Sequence, residues 1–113
     1  MSITLPLPPH KKITFTCRVE AGCLGPDGAL HVQAFCQHAE QEIAFFDTGV
    51  IQWRLVPRHD KSEDEIQYSI ASKILTREQA ARYFSLLDRD IEDIENFFHG
   101  FLVRLINEYL GHE

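Results

Sequence analysis

Cysteine is scarce in this chain: three in 113 residues, Cys17, Cys23 and Cys36, with no Cys-x-x-Cys pair. An odd and widely spaced set of thiols argues against a disulfide framework and for a reducing compartment, so a cytoplasmic location is expected. Long apolar runs are lacking too. Nothing approaches the roughly 18 consecutive apolar residues that a membrane span requires, and no membrane partner is expected. The stretch MSITLPLPPHKK places its positive charge after its apolar residues, the reverse of a secretory signal. Basic charge is in short supply: 11 Lys and Arg against 17 Asp and Glu leave a net charge of −6. Phosphate backbones require a concentrated basic surface, so no nucleic-acid partner is expected. Internal repeats, low-complexity tracts and linkers are absent, which makes residues 1–113 one expected domain.

Catalytic signatures are missing as well. There is no phosphate-cradling glycine loop followed by GK[ST], no G-x-S-x-G and no H-E-x-x-H. The spacings C-x5-C and C-x12-C-x-H match no zinc pattern. On a helix, Cys36 and His38 would lie about 160° apart and could not close on one ion. No catalytic residue, metal site or cofactor is therefore assigned.

What the chain does have is clear periodicity. Pro6, Pro8 and Pro9 mark residues 1–11 as an extended arm. Ile13, Phe15, Cys17 and Val19 then alternate with Thr14, Thr16 and Arg18, as in a half-buried strand. Gly25-Pro26-Asp27-Gly28 turns the chain. Val32, Phe35, Cys36, Ala39, Ile43 and Phe46 fall within an arc of about 100°, which predicts a helix over 31–46 with Asp27 as a candidate N-cap. Residues 28–30 fit either the end of a hairpin or the first turn of that helix. Ile51, Trp53 and Leu55 predict a second strand, followed by the charged loop 57–65. Ile66, Tyr68, Ile70 and Ile74 predict a third strand, paired with the second as an antiparallel hairpin. Thr76 and Gln79 have the form of a capping box, and an apolar stripe then runs from Tyr83 to Tyr109. One long kinked helix fits that stripe, and so do two helices with Asp90 capping the second.

The expected fold is a two-layer α+β domain in β-α-β-β-α order, with a three-stranded antiparallel sheet and a long or kinked C-terminal helix. Phe15, Trp53 and Tyr68 lie on the apolar sheet face, so the open face would carry no stacking aromatics of the kind used by single-strand RNA modules. Three strands can hardly cover both helical segments, whose surplus apolar residues include Phe97 and Val103. A homodimer through the long helix, a sheet edge or both is expected, with Phe35, Phe45, Phe97, Phe101 and Tyr109 as candidate interface residues. The first functional reading is a non-enzymatic interaction or regulatory module that binds a protein partner and self-associates. The alternative is a binding or catalytic domain for a small anionic ligand, with Arg18, Arg54, Arg58 and His59 on the polar sheet face and the 57–65 loop as contacts. Cys17 and Cys36 read as small core residues, while the exposure of Cys23, in its glycine-rich corner, is left open by the sequence. Glu95 lies beside the apolar stripe and needs a cationic partner, for which Arg82 and Arg104 are candidates.

Overall fold

A computed structural model describes residues 4–111 and shows an α+β fold with a four-stranded mixed sheet. The strands are β1 (Ile13–Val19), β2 (Ile51–Pro57), β3 (Ile66–Ile70) and β4 (Lys73–Leu75), in spatial order β2-β1-β3-β4. The helices are α1 (Gly28–Ile43), α2 (Arg77–Leu86) and α3 (Ile91–Tyr109). β1 and β2 are parallel, connected through α1, with Phe15 beside Trp53. β1 and β3 are antiparallel, with Phe15 beside Tyr68.

This corrects the expected antiparallel hairpin between the second and third strands. β2 and β3 are not neighbours; β1 lies between them. The loop crosses the end of β1 and is held there at both its ends. The Arg58 N–H donates to Val19 O at 2.8 Å, and the Arg18 N–H donates to Glu65 O at 2.7 Å. Two inter-strand spacings are only about 10 Å, a distance that eight residues span with slack. A short connection excludes a helical crossover but not a step over one strand.

A second correction concerns the third strand, which is two strands. Ala71 and Ser72 both take positive φ, 49° and 71°, as a two-residue type I′ turn requires. The reversal carries Ile74 to the side of Ser69, on the open sheet face, where it is 65% exposed. Lys73 instead pairs with Ile70. Neither turn residue is the Asn, Asp or Gly that normally announces such a turn, so the segment reads as one continuous strand.

The apolar face of the sheet is covered by all three helices. Phe15, Trp53 and Phe98 form the centre: the Phe15 ring lies 4.8 Å from both Trp53 and Phe98, and Tyr68 meets it edge-on at 5.3 Å. α1 lies beside β2. α3 occupies the middle of the layer through Phe98, and α2 reaches Tyr68 through Phe84. Helix boundaries follow local chemistry. Thr76 and Gln79 complete the capping box of α2, and the Asp90 carboxylate accepts from the Glu92 N–H to start α3 as a separate helix. α1 begins at Gly28, so residues 28–30 are helical, and the Asp27 side chain makes no cap hydrogen bond. A helix with its N-terminal turn packed against the preceding chain does not depend on that cap. α1 ends at Ile43 rather than at 46, and Asp47 at φ 48° turns the chain toward β2.

The N-terminal arm is tied down within its described part. The Leu7 N–H donates to Gly49 O at 2.8 Å and the Leu7 side chain is buried, while Pro9–Lys11 forms a 3-10 turn. Residues 1–3 of the expected extended arm lie outside the described residues.

Candidate interaction surface

The seam between α1 and α3 holds two mainly apolar concavities. The two helices run in opposite senses, so Phe35 of α1 meets Tyr109 of α3 at 5.9 Å, while Phe46, just past α1, stacks on Phe97 at 3.8 Å. Between these contacts the seam opens into two hollows. One, of about 480 Å³, is lined by Glu42, Ile43, Phe45, Phe46, Asn96, Phe97, Gly100, Phe101 and Arg104. The other, of about 370 Å³, is lined by His31, Ala34, Phe35, His38, Leu105, Glu108 and Tyr109. From His31 to Ile43 the α1 side of the seam runs twelve residues, about 18 Å of helix, or a little over three turns.

The five aromatic residues expected at an interface divide by depth. Phe35 and Phe101 are buried, at 5% and 8% exposure, and form part of the floor. Both belong to the core-facing arc of their helices. Phe97 and Tyr109 are partly open, and Phe45 is 76% exposed. Phe46, Asn96 and Gly100 also line the seam and were not legible as contacts, because only the position of α1 beside α3 brings them together. The rim carries both signs. The Arg104 guanidinium lies 5.8 Å over the Phe101 ring and 3.9 Å from Glu108, and His38 lies 3.9 Å from Glu42.

The four candidate anion contacts are placed differently from one another. Arg54 is exposed on the open sheet face, and His59 is exposed in the loop. Arg18 donates to Asp64 O and Gln67 Oε1 and lies 3.4 Å from the Glu63 carboxylate. Arg58 donates to Glu20 Oε1 at 2.6 Å and to the carbonyls of Lys61 and Glu63. The side chains of Arg18 and Arg58 are only 15% and 14% exposed. Their guanidiniums serve as internal staples for the loop that steps over β1, with acidic partners already in place. Arg58 and His59 also line a hollow of about 220 Å³ with Glu20, Asp60 and Lys61, where charges of both signs stand together. The Asp60 carboxyl is held below its ordinary range by hydrogen bonds from Ser62.

Glu95 has found its cation. Arg77, the first residue of α2, makes a two-pronged contact with its carboxylate, with Nη2 at 2.8 Å, and the Tyr68 hydroxyl donates to it at 2.6 Å. The expected partners, Arg82 and Arg104, are both elsewhere. Burial pushes the Glu95 carboxyl up, but the hydrogen bonds from Arg77 and Tyr68 outweigh it and hold the carboxyl below its ordinary value. Burial and the Glu95 contact push the Tyr68 phenol up. The cluster locks α2, α3 and β3 together.

Cys17 and Cys36 lie in the core as expected, and the structure decides the exposure of Cys23, which the sequence left open. Cys23 is exposed, while Cys17 and Cys36 are buried and unbonded. Burial pushes Cys17 up to about 12 and Cys36 up to about 11, which keeps both as unreactive thiols. Among the described residues, no group of three or more His, Cys, Asp or Glu is arranged to hold a metal ion, and no helix is long and apolar enough to cross a membrane. No family model, no curated protein and no solved structure matches this chain.

Proposed function

We propose that this protein is a cytoplasmic, non-enzymatic interaction module whose contact surface is the α1–α3 seam and the helix faces beside it. The observation that carries the reading is Phe45: a large aromatic side chain 76% exposed at the mouth of an apolar hollow floored by Ile43, Phe97 and Phe101. Exposed aromatics over a preformed apolar floor are characteristic of the anchor positions in protein contacts. The residues whose titration the fold perturbs support the same reading. Glu95, Arg77 and Arg89 are engaged in pairs that join one element to another, which is architectural work. Three unbonded cysteines fit a reducing compartment.

A photoreactive residue placed at position 45 in cells, compared with one at Gln52 on the open sheet face, tests the proposal. Discrete protein adducts are expected from position 45 and none from position 52. Equal labelling from both positions, or no adduct from 45, would overturn it.

A further inference from the structure

We propose that α3 is the contact helix of a twofold-symmetric homodimer, packed antiparallel on α3 of a second copy with the dyad between Gly100 and Val103. This rests on the interaction-module reading and names the partner. The outward seam of α3 is Asn96, Gly100, Val103 and Asn107, all exposed, at the i, i+4, i+7, i+11 spacing of a helix–helix seam. No charge interrupts it, although 25% of the chain is charged. The outward stripe of neighbouring α1, with Gln33, Gln37 and Gln41, is uncharged as well. On α2 the equivalent outward positions carry Glu78 and Arg82. The lack of charge along these outward stripes of α1 and α3, but not along that of α2, marks the first two as the centre of a contact.

The second copy is favoured over an unrelated partner because the stripe complements itself. In a twofold contact each residue must suit the residue that the dyad brings to it. Antiparallel packing in knobs-into-holes layers brings Val103 to Gly100 of the second copy, a branched side chain into the notch left by a missing one. It brings Asn96 to Asn107, where each amide offers both a donor and an acceptor. Beside the seam, Phe97 comes beneath Arg104 of the second copy, the same kind of contact that Arg104 makes with Phe101 in its own chain. Glycine weakens a helix interior, and here nothing lies within 4 Å of a Cβ built on Gly100, so packing within one chain does not demand it. Close approach of a second helix does.

The sheet edges offer a poorer route to the same end. On the outer edge of β2, Ile51 N–H donates to Asp47 O, Leu55 N–H donates to the Glu40 carboxylate, and Pro57 has no N–H. The other edge, β4, is three residues long. Both are the devices by which edges are closed to strand addition.

The test uses the full chain with Cys23→Ser, leaving only the two buried thiols. Asn96→Cys and Asn107→Cys are introduced on separate chains, one of them affinity-tagged, and the two are mixed at micromolar concentration under mild oxidation. The mixed disulfide is expected to exceed either like–like product by about tenfold, because like positions would lie about 16 Å apart along the helices, beyond disulfide reach. Like–like products at or above the statistical share would overturn the antiparallel arrangement. Gly100→Arg, at an exposed position, is expected to keep the wild-type circular dichroism and to give a monomer near 13.0 kDa by light scattering. A folded Gly100→Arg that remains dimeric would remove the dyad from this stripe. A monomeric wild type at micromolar concentration would overturn the homodimer outright. If position 45 still captured other proteins, the interaction-module reading would survive that loss; if it captured none, both would fall.

Discussion

Gly28 shows how little of a residue's role is visible from its neighbours. Pro-Asp-Gly reads as a turn that uses the conformational freedom of glycine, yet Gly28 is the first residue of α1, and its requirement is space. A Cβ there would stand 1.8 Å from the backbone oxygen of Ala21. Gly28→Ala is therefore expected to destabilise the protein by about 3 kcal/mol, the upper range for overpacking, as read from urea unfolding. A change below about 0.5 kcal/mol, the level of a neutral surface substitution, would refute the clash. Glu95 carries the second prediction at this scale. Its carboxyl titrates below its ordinary value in the folded state, so the stability it supplies is complete above the unfolded-state value. That stability is lost as pH falls through the lower, folded value. Glu95→Gln should cost about 2 kcal/mol near neutral pH, the scale of hydrogen bonds to a charged group. Urea midpoints for the wild type and variant should converge under acid. A gap that widens as pH falls would reverse the sign.

Among the elements, β2 shows an edge closed by a side chain from another element. Glu40, on the flank of α1, accepts from Leu55 N–H at 2.9 Å. Glu40→Ala leaves that donor facing outward and is expected to raise strand-mediated aggregation, measured as faster thioflavin-positive assembly at equal stability. Unchanged assembly kinetics would deny Glu40 this protective role. The β3–β4 turn offers a gain. Ala71 and Ser72 are held at positive φ, so Ala71→Asn with Ser72→Gly should stabilise the protein by about 1 kcal/mol. A lower thermal midpoint in the double variant would show that these side chains contribute something beyond the turn. Helix starts were legible because a cap is a local contract: Thr76 with Gln79, and Asp90 with Glu92, lie within four residues of one another. The hairpin was not legible, because its turn residues lack the side chains that favour such φ values and tertiary pairing imposes them.

At the scale of the whole molecule, three helices cover one face of a four-stranded sheet and leave the other open. That open face carries Thr14, Gln52, Arg54, Gln67 and Ser69. Opposite ends of the fold are fastened by separate charge pairs. Arg89 holds Asp47 with two contacts, at 2.8 and 3.0 Å, joining the α2–α3 corner to the exit from α1. Arg58 and Glu20 fasten the loop that steps over β1. The helix layer ends in the uncharged outer stripes of α1 and α3. If a second copy covers α3, association stabilises the native state by mass action, and the thermal midpoint should rise with protein concentration. A midpoint independent of concentration over the micromolar range would count against the dimer.

By itself the sequence determined which residues face inward, since periods of 2 and 3.6 are properties of backbone geometry and need no partner. It thereby located β1, β2 and the helical segments, and placed Phe15, Trp53, Tyr68, Cys17 and Cys36 in the core. It also singled out the surplus apolar residues from which Phe45 and Phe97 come. Strand order belonged to tertiary structure alone. Whether β3 pairs with β2 or with β1 depends on which hydrogen-bonding edge is free once α1 has brought β2 beside β1, and no residue of the connecting loop encodes that choice. The same holds for the α1–α3 seam and for the pairing of Glu95 with Arg77. Each is formed by residues distant in the chain, brought within contact only when the helices take their places on the sheet.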